Sequence, residues 1–208
     1  MMRESLQRTL ALARHEYRAA VRSRSLLALT AVLVVATIAS VYVAAVDYRS
    51  QLADYQAYVA AATAGGITRI APSPLALLSL LRGALEYIEV IGGVIAIALG
   101  YLSVSRERTN RTLMLIRTRP VASGELAAGN VLGATAVIAT IVAATAVAAV
   151  LCLGVVGNDW VGGTEALKLL LAYSSAILYM VVFYCLGVVV TSHSRLAASG
   201  LMVALVVW

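Results

Sequence analysis

From Leu26 to Val46 the chain reads "LLALTAVLVVATIASVYVAAV" without a single charged residue. About 20 apolar residues in a helix cross the ~30 Å hydrocarbon layer of a bilayer, and this run is too long for the core of a signal peptide. It reads as an uncleaved signal anchor. Comparable runs follow at 87–105, with Glu89 near its start, at 131–156, long enough to tilt, and at 169–191. A fifth begins near Leu196 and reaches Trp208, but its helical rise would be only ~20 Å. We expect it to be an incomplete span of a truncated chain. With 62% hydrophobic and 12% charged residues, a soluble fold would lack polar surface to cover itself. The expected fold is an all-α, polytopic membrane helical bundle with five visible spans.

The charges lie in blocks beside these spans, which is how topology signals are placed, and a nucleic-acid surface is not expected. Six Arg against two Glu precede the first span, and five Arg against two Glu occupy 106–130. The stretch 47–86 is balanced, and "GNDWVGGTEALK" holds two acids and one Lys. Positive residues stay inside, so the N-terminus and the 106–130 loop are predicted to be cytoplasmic. Residues 1–25 form a separate unit before the membrane domain at 26–208. Leu6, Leu10, Ala13, Tyr17 and Val21 recur at helical spacing while Arg3, Arg14, Arg18 and Arg22 mostly avoid that face. This predicts an interfacial amphipathic helix on membrane lipid, with or without contact to the bundle.

Beyond the first span, Tyr48, Tyr55, Tyr58 and Ala62 keep helical spacing, so that helix is expected to continue outside the membrane. Ser73 and Pro74 mark a new helix start. Along the helix that follows, Arg82, Glu86, Glu89, Gly93, Ala96 and Gly100 share one side. Charges there should face protein or water, and small residues allow close backbone approach. The stripe is either a candidate pathway or dimer seam, or a local Arg82–Glu86 pair with Glu89 among headgroups. The cysteines, Cys152 and Cys185, fall at depths about 18 Å apart, too far for a disulfide.

Catalytic motifs are missing. The sole Lys, Lys168, follows Leu167, so the chain cannot build a G-x-x-x-x-G-K-[ST] phosphate cradle. His15 and His193 both lie in basic segments, and no H-E-x-x-H or C-x-x-C occurs. No catalytic, cofactor or metal residues are expected in this chain.

The segment "SRERTNRTLMLIRTRP", Ser105 to Pro120, packs five Arg and one Glu around an apolar "LMLI". Such a segment fits either a partner's groove or the lipid surface. Gly100 to Gly133, "GYLSVSRERTNRTLMLIRTRPVASGELAAGNVLG", resembles the permease subunits of type-2 ABC exporters, nearest the branch for nitrous oxide reductase maturation. The resemblance is carried by Gly100, Tyr101, Glu107, Thr112, Leu113, Leu115, Pro120, Val121, Glu125 and Gly129, and by Ala13, Arg14 and Glu16 near the start. Asn110, Arg111, Asn130 and Leu102 depart from the usual pattern. The family usually has six spans. The resemblance implies a non-enzymatic, dimeric permease in a prokaryotic plasma membrane, homodimeric or paired with a second permease. A separate ABC ATPase subunit would bind ATP and Mg. Residues 106–130 would be the coupling loop. Leu113, Leu115 and Ile116, with Thr112, would fill the ATPase groove. Glu107, Arg108, Arg111 and Arg117 would set registration, and Pro120 would end the short helix.

A non-transporting membrane scaffold or assembly factor is the alternative. A secondary transporter is disfavoured, because the spans at 26–46, 131–156 and 169–191 carry no ionisable residue. Cysteines introduced between residues 106 and 120 should react only with reagents admitted to the cytoplasmic side. Labelling from outside would overturn the topology.

Overall fold

The computed structural model describes residues 2–64, 77–109, 123–157, 163–194 and 197–208. Among these, the regular structure is helical throughout. In chain order the helices are α1 (Met2–Val21), α2 (Arg24–Ala64), α3 (Leu77–Tyr87), a π-helical turn (Ile88–Gly92), α4 (Gly93–Thr109), α5 (Ser123–Gly157), α6 (Gly163–His193) and α7 (Ala197–Val207). Four helical stretches are long and apolar enough to cross a membrane: Arg24–Ala61, Leu81–Arg106, Gly124–Val155 and Gly163–His193. Ala198–Val207 is a shorter apolar helix.

These are helices that are apolar on every side, as lipid demands. On α2 the buried residues include Leu26 and then Leu33, Thr37, Val41 and Ala45, a stripe at steps of four, while Val32, Val35 and Tyr42 are exposed. The second stretch begins earlier than the sequence suggested, because α3, the π turn and α4 run end to end. α2 also continues well past residue 46, as the tyrosine spacing predicted.

The tightest packing joins α4 to α6. A Cβ on Gly100 would lie 2.6 Å from the Tyr184 carbonyl oxygen and 2.8 Å from the Val188 nitrogen. A Cβ on Gly187 would lie 2.9 Å from the Ile97 carbonyl oxygen. Backbone therefore meets backbone, which only glycine allows. Further along, Gly92 lies against Met180, so the two helices advance in the same direction. Around this pair a buried cluster gathers Leu33 of α2, Ile95 and Leu99 of α4, Ile138 of α5 and Tyr184 of α6. A second cluster, including Val41, Leu81, Ala84 and Leu153, joins α2, α3 and α5.

The N-terminal helix forms at the predicted place and lies against α5. Gly129 and Gly133 of α5 admit Leu12, Ala13 and Glu16, and the Tyr17 hydroxyl is 3.4 Å from Thr140 Oγ1. Of the stripe read in the sequence, Ala13 and Tyr17 meet α5, while Leu6 is 64% exposed and Leu10 57%. The helix thus has a bundle-facing side through Leu12 and Ala13 and a free apolar edge at Leu6 and Leu10.

Gly187→Val would drive two methyl groups into the α4 backbone. We expect a loss of about 3 kcal/mol or more, since a well-packed interface tolerates extra methylenes poorly. Thermal unfolding in detergent, compared with the exposed Val155→Ala change, measures it.

Candidate functional site

The residues that carry polar chemistry lie at two ends of the α4–α6 pair. From Glu89 to Arg108 the helical rise is about 28 Å, close to the ~30 Å thickness of the hydrocarbon layer. The two ends therefore sit near opposite membrane edges.

At one end Arg108, in the last turn of α4, reaches across to the C-terminus of α6. Its Nη1 donates to the Ser194 carbonyl at 3.0 Å. Its Nη2 donates to the carbonyls of Thr191 at 2.9 Å and Ser192 at 2.8 Å. The last carbonyls of a helix have no partner within it and carry the negative end of the helix dipole, so a guanidinium with several donors suits them. The α6 terminus closes its remaining carbonyls locally. Ser194 Oγ donates to Val190 O at 2.8 Å and Ser192 Oγ to Val189 O at 2.8 Å. Arg108 thereby ties the end of α4 to the corner between α6 and α7. A cavity of about 320 Å³ opens nearby between α4, α5 and α6, with Ser103, Asn130 and Cys185 among its walls.

At the other end the helix widens into the π turn at Ile88–Gly92. The Glu89 carbonyl accepts from the Gly93 N–H and from the Tyr179 hydroxyl at 3.1 Å. That hydroxyl in turn accepts from the Trp208 indole N–H at 3.0 Å. Trp208 fits because Gly93 has no side chain: a Cβ there would lie 2.6 Å from the indole nitrogen. The π turn is thus held by a relay from α7 through α6. π turns inside α-helices occur often at functional sites. An open groove of about 230 Å³ lies beside it, walled by Leu85 and Glu89 and by Ala172, Ser175, Ala176 and Tyr179.

The stripe read from the sequence divides accordingly. Gly93 faces Trp208, Gly100 faces α6, and Ala96 is fully buried. Arg82, Glu86 and Glu89 stay exposed, and Arg82 Nε donates to Glu86 Oε1 at 2.8 Å. That exposed pair contributes little to stability. Of the loop residues, Arg108 is engaged inside the chain. Glu107 belongs to α4, and its side chain, with Arg111, Thr112, Leu113, Leu115, Ile116, Arg117 and Pro120, lies outside the described residues. Thr191, Ser194, Tyr179 and Trp208 were not anticipated. Their partners stand far away in sequence, and no local spacing announces a contact of that kind.

A family profile described as ABC-2 family transporter protein matches residues 10–208. The chain belongs to that family. No individual curated protein matches it. Membership makes this ABC-2 protein a membrane-spanning permease component, consistent with its apolar helices.

Arg108→Ala should expose three carbonyls at the α6 terminus and cost about 2 kcal/mol, in the range of hydrogen bonds to charged groups. Arg108→Lys, with fewer donors and no planar fork, should recover only part of this. Thermal unfolding, together with the labelling rate of a Ser194→Cys probe, reads both effects.

Proposed function

We propose that the chain is the permease half of an ABC exporter of a prokaryotic plasma membrane, acting as a dimer with a separate ATPase that binds ATP and Mg. Family membership supports the permease role. The coupling reading rests on one observation. Arg108, two residues before the 110–122 segment, is bonded to three carbonyls at the α6–α7 corner, and the far end of the same segment runs into α5 at Ser123. A force applied to 110–122 would reach α4 and α5 through the chain. It would reach α6 and α7 through the guanidinium.

In this reading the cytoplasmic segment Glu107 to Pro120 is the coupling helix. Leu113, Leu115 and Ile116, beside Thr112, enter a groove on the ATPase, while Glu107, Arg111 and Arg117 set the register. Arg108 serves from within, as the link between that helix and the bundle. Closure of two ATPase subunits would tilt the spans between inward- and outward-facing arrangements. The amphipathic α1 would rest its Leu6–Leu10 edge on lipid at the cytoplasmic face.

Co-expression with candidate ABC ATPases tests this. The wild-type protein should co-purify with one of them and raise its ATP turnover. Leu113→Asp with Leu115→Asp should abolish association. Arg108→Gln should leave association intact but reduce the stimulation of turnover several-fold. Association without any effect on turnover would favour a scaffold instead.

A further inference from the structure

We propose that the groove beside the π turn binds the ammonium headgroup of an amphiphilic amine, with Glu89 as its counter-charge. Glu89 lies toward the membrane edge of the candidate span Leu81–Arg106, and an ionisable side chain on a membrane-spanning helix is a functional-site hypothesis by default. Its side chain is exposed and borders the groove of about 230 Å³. Arg82 is paired with Glu86, and among the described residues no cation pairs with Glu89.

The hydrogen-bond arithmetic of the groove selects the ligand. The Tyr179 hydroxyl uses its proton on the Glu89 carbonyl and already accepts from Trp208. Ser175 Oγ uses its proton on the Ala172 carbonyl at 2.7 Å. What remains among the groove's walls is the Glu89 carboxylate, lone pairs on Ser175 and the Tyr179 ring. These are acceptors and a π surface, which together favour a cation that carries N–H donors. An anion would be repelled, and a purely apolar guest would strip water from the carboxylate without compensation. Leu85, Ile88 and Ala176 give the adjoining methylenes an apolar wall.

The same geometry disfavours an aminophospholipid. In such a lipid the phosphate lies between the acyl chains and the ammonium. Seating the ammonium on Glu89 would place the phosphate deeper, against apolar side chains. The one cation nearby on that helix, Arg82, lies about 10 Å away on the side opposite Arg108 and is engaged by Glu86. An alkylamine whose ammonium is its only charge has no such conflict.

Binding itself does not depend on the coupling reading; describing the amine as cargo would. The test therefore reads binding alone. Trp208 bonds directly to Tyr179 in the groove wall, and Trp160 is the other tryptophan in the chain. A Trp160→Phe protein in phosphatidylcholine vesicles leaves Trp208 as the single tryptophan. Titration with a chain-brominated primary alkylamine should quench it saturably. Glu89→Gln should raise the apparent Kd at least about tenfold, a change of ~1.4 kcal/mol. A brominated fatty acid and a brominated aminophospholipid should give only weak, non-saturating quenching in both proteins. Ser175→Leu, which fills the groove from an exposed position and leaves Glu89 in place, should also abolish saturation. Equal affinity in Glu89→Gln and wild type, or saturable quenching by the fatty acid or the aminophospholipid, would overturn the proposal. Should Glu89→Gln not fold, unaltered amine binding to Ser175→Leu would overturn it alone.

Discussion

The backbones of α4 and α6 touch, and the rest of the bundle depends on that contact. In lipid the hydrophobic effect does not draw helices together, so close van der Waals approach must do so. Gly100 and Gly187 remove the side chains that would hold the helices apart. Once they meet, the pairing register is fixed along the whole length. Arg108 falls level with the carbonyls of Thr191, Ser192 and Ser194, and Tyr179 falls level with the π turn. Shifting the contact by one helical turn would separate both sets of partners at once.

This arrangement explains how a chain without a nucleotide cradle fits a family of transporters. A permease component needs a receiving surface and a rigid route inward from it. α4 and α6 are joined at one end by the Arg108 guanidinium, and at the other the Tyr179 phenol and the Trp208 indole meet at the π turn. α7 is short and apolar; Gly200 within it packs on the Thr191 backbone of α6, and Trp208 beyond it sits against Gly93.

Much of the fold could be read in the sequence because lipid imposes a blunt rule: a crossing helix must be long and uncharged. The four long stretches and the short last helix follow from that rule, and the continuation of α2 past Asp47 follows from the helical spacing of Tyr48, Tyr55, Tyr58 and Ala62. The apolar run of the second stretch was counted only from Tyr87 because Arg82 and Glu86 interrupt it, although the helix itself was read through them as far as Gly100. On α1 the spacing picked out the apolar residues but not which of them would meet the bundle: contact with α5 uses the flatter Leu12–Ala13 side against Gly129 and Gly133, and Leu6 and Leu10 stay exposed. At the candidate site, Glu89 stood out as an acid in an apolar helix. Arg108 looked like one more loop charge, since hydrogen bonds to backbone carbonyls more than 80 positions away leave no periodic trace. The π turn was equally hidden, because its register change is stabilised by Tyr179 and Trp208 rather than by local sequence.

α2 runs unbroken from Arg24 to Ala64, about 62 Å at helical rise, roughly twice what the hydrocarbon layer requires. Such a rod cannot be contained by the bilayer, and about 30 Å of it projects beyond one face. Its embedded part is gripped through Leu33, Val41 and Ala45. A lean of ~10° at the membrane therefore swings the far tip by about 5 Å. Small rearrangements among the embedded helices are magnified at that tip like the deflection of a pointer on a dial.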